Sequence, residues 1–522
     1  MFSPFNHALT TGLIDNHILK RHEPQYRLVT EFIFYLCRDT TFAMMKLPFS
    51  KWTVLFFVYT IVTLTGCASR LNLTEQQAAF SQQLPNAWHE AAATIGTAAH
   101  LEELTANPEL KALIEEALKA NPNITATAYR LRASGLLLSI PASSLLPSVT
   151  LGGKATRTHT KDGETDSYSA TGTIQWEIDL WGRLADQYDA ELLGVSASKQ
   201  DYIAARNALI VRVIQGWVTL SSQKLAVEIQ QRRIKALKDT EDIALDRYNM
   251  GIGQPQDLAT AKANTESAKQ VLIQKMLAVS KAKRTLEILL GRYPAGIIKG
   301  QATLPVLASP VVNMPSSVLT ARPDIQSAWL KVRQSDKSVA AANKAMLPSF
   351  TLSADLGYSS NAFNQLASGP SVWNLVSSVS QPLFMGGKLI NTAQARSEEC
   401  KAAWEDYRKV VLNAAVEVEN ALEAESNLQQ QEAFLESSLK YARQSRINYE
   451  QQYREGLTDI LNLLTAKNNE LNTEAQLLDV RTSRVNNRMT LAIAAGLSSQ
   501  KHTPNVPTPF FTSSIKENTY EN

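Results

Sequence analysis

The chain has 522 residues, with 52 Lys plus Arg against 49 Asp plus Glu and 44% hydrophobic content, which is enough for a large core and excludes wholesale disorder. A formal charge of +3 without a long Lys/Arg run supplies no concentrated basic surface, so nucleic acid is not an expected partner. The one long apolar stretch, Trp52 to Leu64, falls short of the roughly 20 residues a spanning helix needs, which leaves strands as the means of any other membrane crossing.

In chain order, residues 1 to 43 precede the first patterned segment and read as an atypical leader or as sequence upstream of a start at Met44 or Met45. Residues 44 to 66 then read as a signal peptide: Lys46 and Lys51, the apolar run, and small residues Thr65 and Gly66 before Cys67. Leu64-Thr65-Gly66-Cys67 resembles the lipobox of bacterial lipoproteins, which implies acylation of Cys67; Ala68 after it, rather than Asp, implies delivery to the outer membrane. The plainer alternative is a buried strand or an uncleaved anchor that happens to end in Gly-Cys. Cys37, Cys67 and Cys400 are too few and too scattered for a disulfide framework or a thiolate metal site, and His7, His17 and His22 form no ligand spacing, so no metal and no cofactor is expected. Cys400 reads as a small residue packed in a helix.

The segment after Cys67 contains itself twice. Asn121-Pro122-Asn123-Ile124 matches Arg322-Pro323-Asp324-Ile325, and the LPS-x-TL segment ending at Leu151 matches that ending at Leu352, both at an offset of 201. From Gly182/Gly387 the offset is 205, and it holds through Tyr248/Tyr453, Gly251/Gly456, Lys262/Lys467 and Gly291/Gly496. The expected division is 67–107 as an N-terminal anchor and equatorial segment, 108–293 and 322–497 as the two copies, 294–321 as a proline-rich linker, and 498–522 as a tail.

Within each copy, a helix ends at Leu-Pro-Ser, since proline disfavours helical geometry in the residue before it. Period-two alternation follows: Val149, Leu151, Gly153 and Ala155, then Ile174, Trp176, Ile178 and Leu180, in the first copy, with Phe350 to Tyr358 and a looser run from Val372 to Phe384 in the second. These strands, apolar on one face and polar on the other, match outer-membrane barrel strands. Four of them cannot close a barrel, and an open edge in lipid strands backbone groups, so closure demands several chains. No proline interrupts Leu184 to Asn249 or Leu389 to Arg454; about 66 residues at about 1.5 Å each reach about 100 Å. Glycines 251 and 456 suit helix stops, and each copy thus ends in a long helical hairpin. Val411, Ala414, Ala415, Val418, Ala421 and Leu422 mark one apolar stripe, and Leu464, Leu471, Leu478 and Val485 a heptad seam.

The lipobox, the paired LPS-x-TL segments, Leu180-Trp181-Gly182-Arg183, Leu383-Phe384-Met385-Gly386-Gly387-Lys388 and Tyr453-x-x-Gly456 before Leu463-Leu464-x-Ala466 together resemble the TolC-like outer-membrane efflux factors, in particular the lipoprotein branch of resistance-nodulation-division systems. The resemblance implies an α+β membrane protein whose protomer holds two repeats of a β-hairpin plus long helices. It implies a homotrimer that forms a 12-stranded β-barrel continued by an α-helical periplasmic barrel. Function follows as an expectation: a passive exit duct working with a periplasmic adaptor (membrane fusion protein) and an inner-membrane resistance-nodulation-division pump, anchored in outer-membrane lipid. Carried over position by position, the narrow periplasmic end falls at Leu461, and the position that is usually acidic is Thr465 here. Asp459 offers either a charge near that gate or a helix N-cap.

Enzyme chemistry finds no motif. The run from Phe384 to Leu389 could be taken for a phosphate loop, but Pro382 stands in place of its first glycine and Leu389 in place of the Ser/Thr that would bind magnesium. The rival from another class is a non-conducting, envelope-spanning structural lipoprotein or adhesin stalk. The transported substrate is not written in the sequence.

Overall fold

In the computed structural model the contacts of the chain separate Arg70–Asn522 as one unit. The structure describes residues 72–82, 85, 87–89, 98, 100–312, 315–368 and 371–499, all in this unit. The expected leader, the signal peptide and Cys67 lie outside the described residues, as does most of the tail.

The two copies fold alike. Helices α1 (Leu73–Gln82), α2 (Pro108–Ala120), α3 (Pro122–Leu137) and α4 (Ser139–Ser143) lead to strands β1 (Ser148–Thr160) and β2 (Gly163–Ile178), then to α5 (Arg183–Asn249) and α6 (Pro255–Leu289). After the linker come α7 (Pro315–Ala321), α8 (Pro323–Lys344), β3 (Ser349–Ser360), β4 (Ser371–Ser380), α9 (Lys388–Arg454) and α10 (Ile460–Ala494). The long helices α5 and α9 are both 67 residues, and their partners α6 and α10 both 35. Stops recur at the same offset: Gly251, Gly291, Gly456 and Gly496 all have φ between +75° and +81°. At each, the next residue's N–H returns to a carbonyl five residues back, as in Ile252 to Arg247 and Leu457 to Gln452, a Schellman closure that a side chain at positive φ would strain.

Strand β4 stops at Ser380, short of the run expected to Phe384. Pro382 explains the end, because its nitrogen has no hydrogen to continue the ladder. The four strands form one antiparallel sheet in the order β1-β2-β3-β4, joined across the copies by β2 and β3, with Ile174 opposite Ala354 and Gly172 opposite Leu356.

The main core gathers where the N-terminal segment, the linker and the end of α10 meet the middle of α5. Trp217, Val213 and Ile214 of α5 pack with Leu101, Leu104, Leu286, Leu307 and Met489, each no more than 3% exposed. Backbone bridges tie the segments together: Ala98 with Pro310, Thr105 with Leu307, and Leu101 N–H to Ser498 O. Glu287, 2% exposed on α6, accepts from the N–H groups of Gly296, Ile297 and Ile298 at 2.6, 2.6 and 3.0 Å. Burial alone would raise its carboxyl; the three donors outweigh that and hold it below the usual carboxylate value. This one side chain fixes the start of the linker.

Below the core, α10 packs against both α5 and α9, whereas α6 packs against α5. The repeat symmetry breaks there. Lys467 of α10 is 3% exposed, while Lys262, its counterpart on α6, lies in solvent.

Candidate functional site

Two regions carry the functional geometry, and the sheet is the first. Direct partners across an antiparallel sheet point to the same side, so the register sorts every strand residue. On one side lie Val149 and Leu151 of β1, Ile174 and Trp176 of β2, Leu352 and Leu356 of β3, and Trp373, Leu375 and Val379 of β4. Leu151 is 87% exposed, Trp373 73% and Leu375 64%. The opposite side holds Thr150, Lys154, Thr173, Gln175, Ser353, Asp355 and Asn374, with Thr173 Oγ1 donating to Asp355 at 2.6 Å. The protomer thus carries an apolar sheet face that is exposed along the two outer strands, β1 and β4.

That face is bounded. Toward the helices, Trp181 meets Phe350 at 6.5 Å between ring centres and its Nε1 donates to Pro348 O; toward the hairpin ends, Tyr168 meets Phe363 edge-on at 5.8 Å. Beyond Tyr168 the same face turns charged, with Arg157 paired to Asp166. From the Phe350 row to the Tyr168 row runs about ten residues of strand; at about 3.3 Å each and a tilt of about 40° this spans about 25 Å, the height of a barrel's lipid-facing band. The outer edges of β1 and β4 pair with nothing among the described residues.

The second region is the far end of the two helical hairpins. Asp459 caps α10, its side chain accepting from Asn462 N–H at 2.9 Å. Past the cap, Ile460, Leu463 and Leu464 are buried at 2%, 0% and 4%, but Leu461 between them is 60% exposed. Leu461 therefore does not serve packing within the protomer. Thr465, one turn on, is exposed and its Oγ1 donates to Leu461 O at 2.7 Å, placing the two on one face of the helix.

Arg247, which carries no signal in the sequence, joins the two hairpins here with Tyr453 and Lys467, which stand out there only as repeat and motif positions. Arg247 stacks on Tyr453 at 5.0 Å and donates to Tyr453 O at 3.0 Å. Lys467 Nζ reaches Ala236 O and Thr240 Oγ1 of α5 at 3.1 and 2.9 Å; burial pushes its ammonium pKa down, with Glu450 and Asp239 opposing. Tyr453 is 2% exposed and its repeat counterpart Tyr248 45%. The repeat match alone could not have separated them. Cys400 is packed within α9, its thiol pushed up to about 11 chiefly by burial, and no cluster of metal-ligating side chains occurs among the described residues.

Comparison with known proteins gives this geometry a context. The chain is 26% identical over 406 residues to the toluene efflux pump outer membrane protein TtgC of Pseudomonas putida, covering 75% of this chain and 83% of that protein. It is likewise 26% identical to the probable outer membrane lipoprotein SilC of Salmonella typhimurium, over 75% of this chain and 86% of SilC. The solved outer-membrane channel OprN superposes with a TM-score of 0.74 at 23% identity, covering 79% of this chain and 97% of that one. The family model for outer membrane efflux proteins matches residues 113–292 and again 314–497, once over each copy, with the second match starting within the linker, and the chain belongs to the outer membrane efflux protein family.

Proposed function

We propose that this chain is the outer-membrane exit duct of a tripartite efflux system, a homotrimer whose protomers each give four strands to a 12-stranded barrel and their long helices to a periplasmic barrel. The observation that carries this reading is the sheet: an exposed apolar face, aromatic boundaries and two long edges that no described residue pairs, which lipid would not tolerate unless other copies paired them. The helical edges support it. Ile273, Met276 and Leu277 on α6, and Phe434 and Tyr441 on α9, are 51% to 72% exposed, as expected of surfaces that neighbouring protomers cover.

Membership of the family supports the remaining parts. The duct takes its cargo from an inner-membrane resistance-nodulation-division pump through a periplasmic adaptor. The Cys67 lipid, for which SilC offers a precedent by name, adds an anchor to the outer membrane. Leu461 and Thr465 stand at the narrow periplasmic end, with Asp459 fixing the helix start beside them. The toluene in TtgC's name belongs to that pump; cargo here is set by the pump that feeds the duct. A non-conducting stalk could use the same long helices, but it has no use for a sheet with a polar face opposed to a lipid-height apolar one.

Chemical cross-linking of the detergent-solubilised protein tests the assembly. Trimers are expected across a range of protein concentrations, and a stable monomer with its sheet edges open to solvent would refute the reading.

A further inference from the structure

The face of α10 that carries Leu461 has a chemical character of its own. Every exposed residue between Ile460 and Leu478 is uncharged: Leu461, Asn462, Thr465, Asn469, Asn472 and Gln476. The charged residues of the same stretch are turned elsewhere. Lys467 is buried against α5, Glu470 pairs with Arg446 at 2.6 Å, and Glu474 pairs with Arg232 at 2.6 Å. The corresponding stretch of α6 shows no such sorting, since Lys262, Glu266 and Lys269 all lie exposed.

The neutral strip also has a definite orientation. At about 100° per residue, Thr465, Asn469, Asn472 and Gln476 fall within one narrow sector. Glu474, Leu477 and Leu478, which with Ala302–Leu304 of the linker line a cavity of about 810 Å³, lie on the opposite side of the helix. A barrel wall has two surfaces. The linker, with its helix and its backbone bridges, occupies one, so the strip faces the other, which is the lumen. From Leu461 to Gln476 it runs about 22 Å along the axis.

Resting on the reading of Leu461 and Thr465 as the narrow end, we propose that this constriction is uncharged: stacked rings of Leu461, Asn462, Thr465 and Asn469 that hold no multivalent cation and let cargo of either charge sign pass. Fixed charges lie to either side of these rings. Asp246, Asp257, Glu455, Asp459, Arg247 and Arg454 stand at the hairpin ends, and the first charge met beyond them is Arg233, whose Nη2 donates to Asn472 at 2.6 Å. Tight capture of a trivalent cation needs several carboxylates converging on one point, because the attraction grows with the product of charges and falls with distance. The neutral rings offer none.

Single-channel recording with lanthanum as the probe, added from the hairpin side to the assembled trimer, decides it. Wild-type current is expected to persist at concentrations that block Thr465→Asp, whose midpoint should be lower by tenfold or more, a difference of about 1.4 kcal/mol. Asn469→Asp, one turn along the same face, serves as the second variant should the first not assemble. Block of the wild type at the same concentration as the variants would overturn the uncharged ring while leaving the constriction where it is. Conducting, lanthanum-insensitive Thr465→Asp and Asn469→Asp trimers would show that this face does not line the narrow end, and the proposal would fall with the gate reading.

Discussion

Truncating Leu461 to Ala probes the narrow end most simply, because its exposure fixes what closure can gain. In the protomer 60% of Leu461 is open, and full burial of a leucine side chain contributes about 2.5 kcal/mol. Contact among copies can therefore supply up to about 1.5 kcal/mol each, of which alanine loses about 1. Over three copies the closed state loses about 3 kcal/mol relative to an open one, a shift of about a hundredfold in their ratio. Protomer folding should be nearly unaffected, since the side chain packs little within it. The assay is open probability in planar bilayers, with trimer content checked on the same preparation. An assembled Leu461→Ala trimer with unchanged open probability would refute the reasoning and place the constriction elsewhere.

Four further outcomes are expected. Glu287→Gln removes acceptor capacity from three backbone donors, one buried and two part-buried, and should destabilise the fold by about 2 kcal/mol by thermal unfolding; because the folded carboxyl is held low, the wild type's advantage is full above the ordinary carboxylate value and declines as pH falls through the folded one. Lys467→Met removes a buried cation and should raise the melting temperature at neutral pH. Since the folded ammonium pKa is depressed, the wild type's penalty is full below that pKa and shrinks as pH rises from it toward the ordinary lysine value, so the gap between the two proteins should narrow over that window. Leu356→Arg on the apolar sheet face should cost membrane insertion about 2 to 4 kcal/mol, read as lost trimer in outer membranes, while Asn374→Arg on the opposite face should insert. Cys67→Ser should abolish incorporation of labelled palmitate, and equal labelling of the variant would place the anchor at another residue.

Local pattern carried much of the fold. The proline-free runs from Leu184 to Asn249 and from Leu389 to Arg454, bounded by the glycine junctions and stops, matched α5 and α9 to within a residue of their observed ends, period two sorted the sheet faces as the register does, and Leu464, Leu471 and Leu478 lie buried along α10 as their heptad spacing requires. Contacts between distant segments were not legible. Glu287 reads as one more helix-surface carboxylate until the linker folds back on it, and Lys467 looks like Lys262 because the repeat hides that α10 has a helix on each side. At the gate, Leu461 and Thr465 came from resemblance. The neutral strip they belong to became visible only when burial had removed Lys467, Glu470 and Glu474 from that face.

Ion conduction by the purified trimer tests the central claim most directly. Reconstituted in planar bilayers, the protein should give discrete conductance steps, small or infrequent in the wild type and larger or more frequent when Leu461 is truncated. Assembled trimers that insert yet seal the bilayer completely, in wild type and Leu461→Ala alike and with the adaptor present, would contradict an exit duct and leave the long helices as a structural stalk.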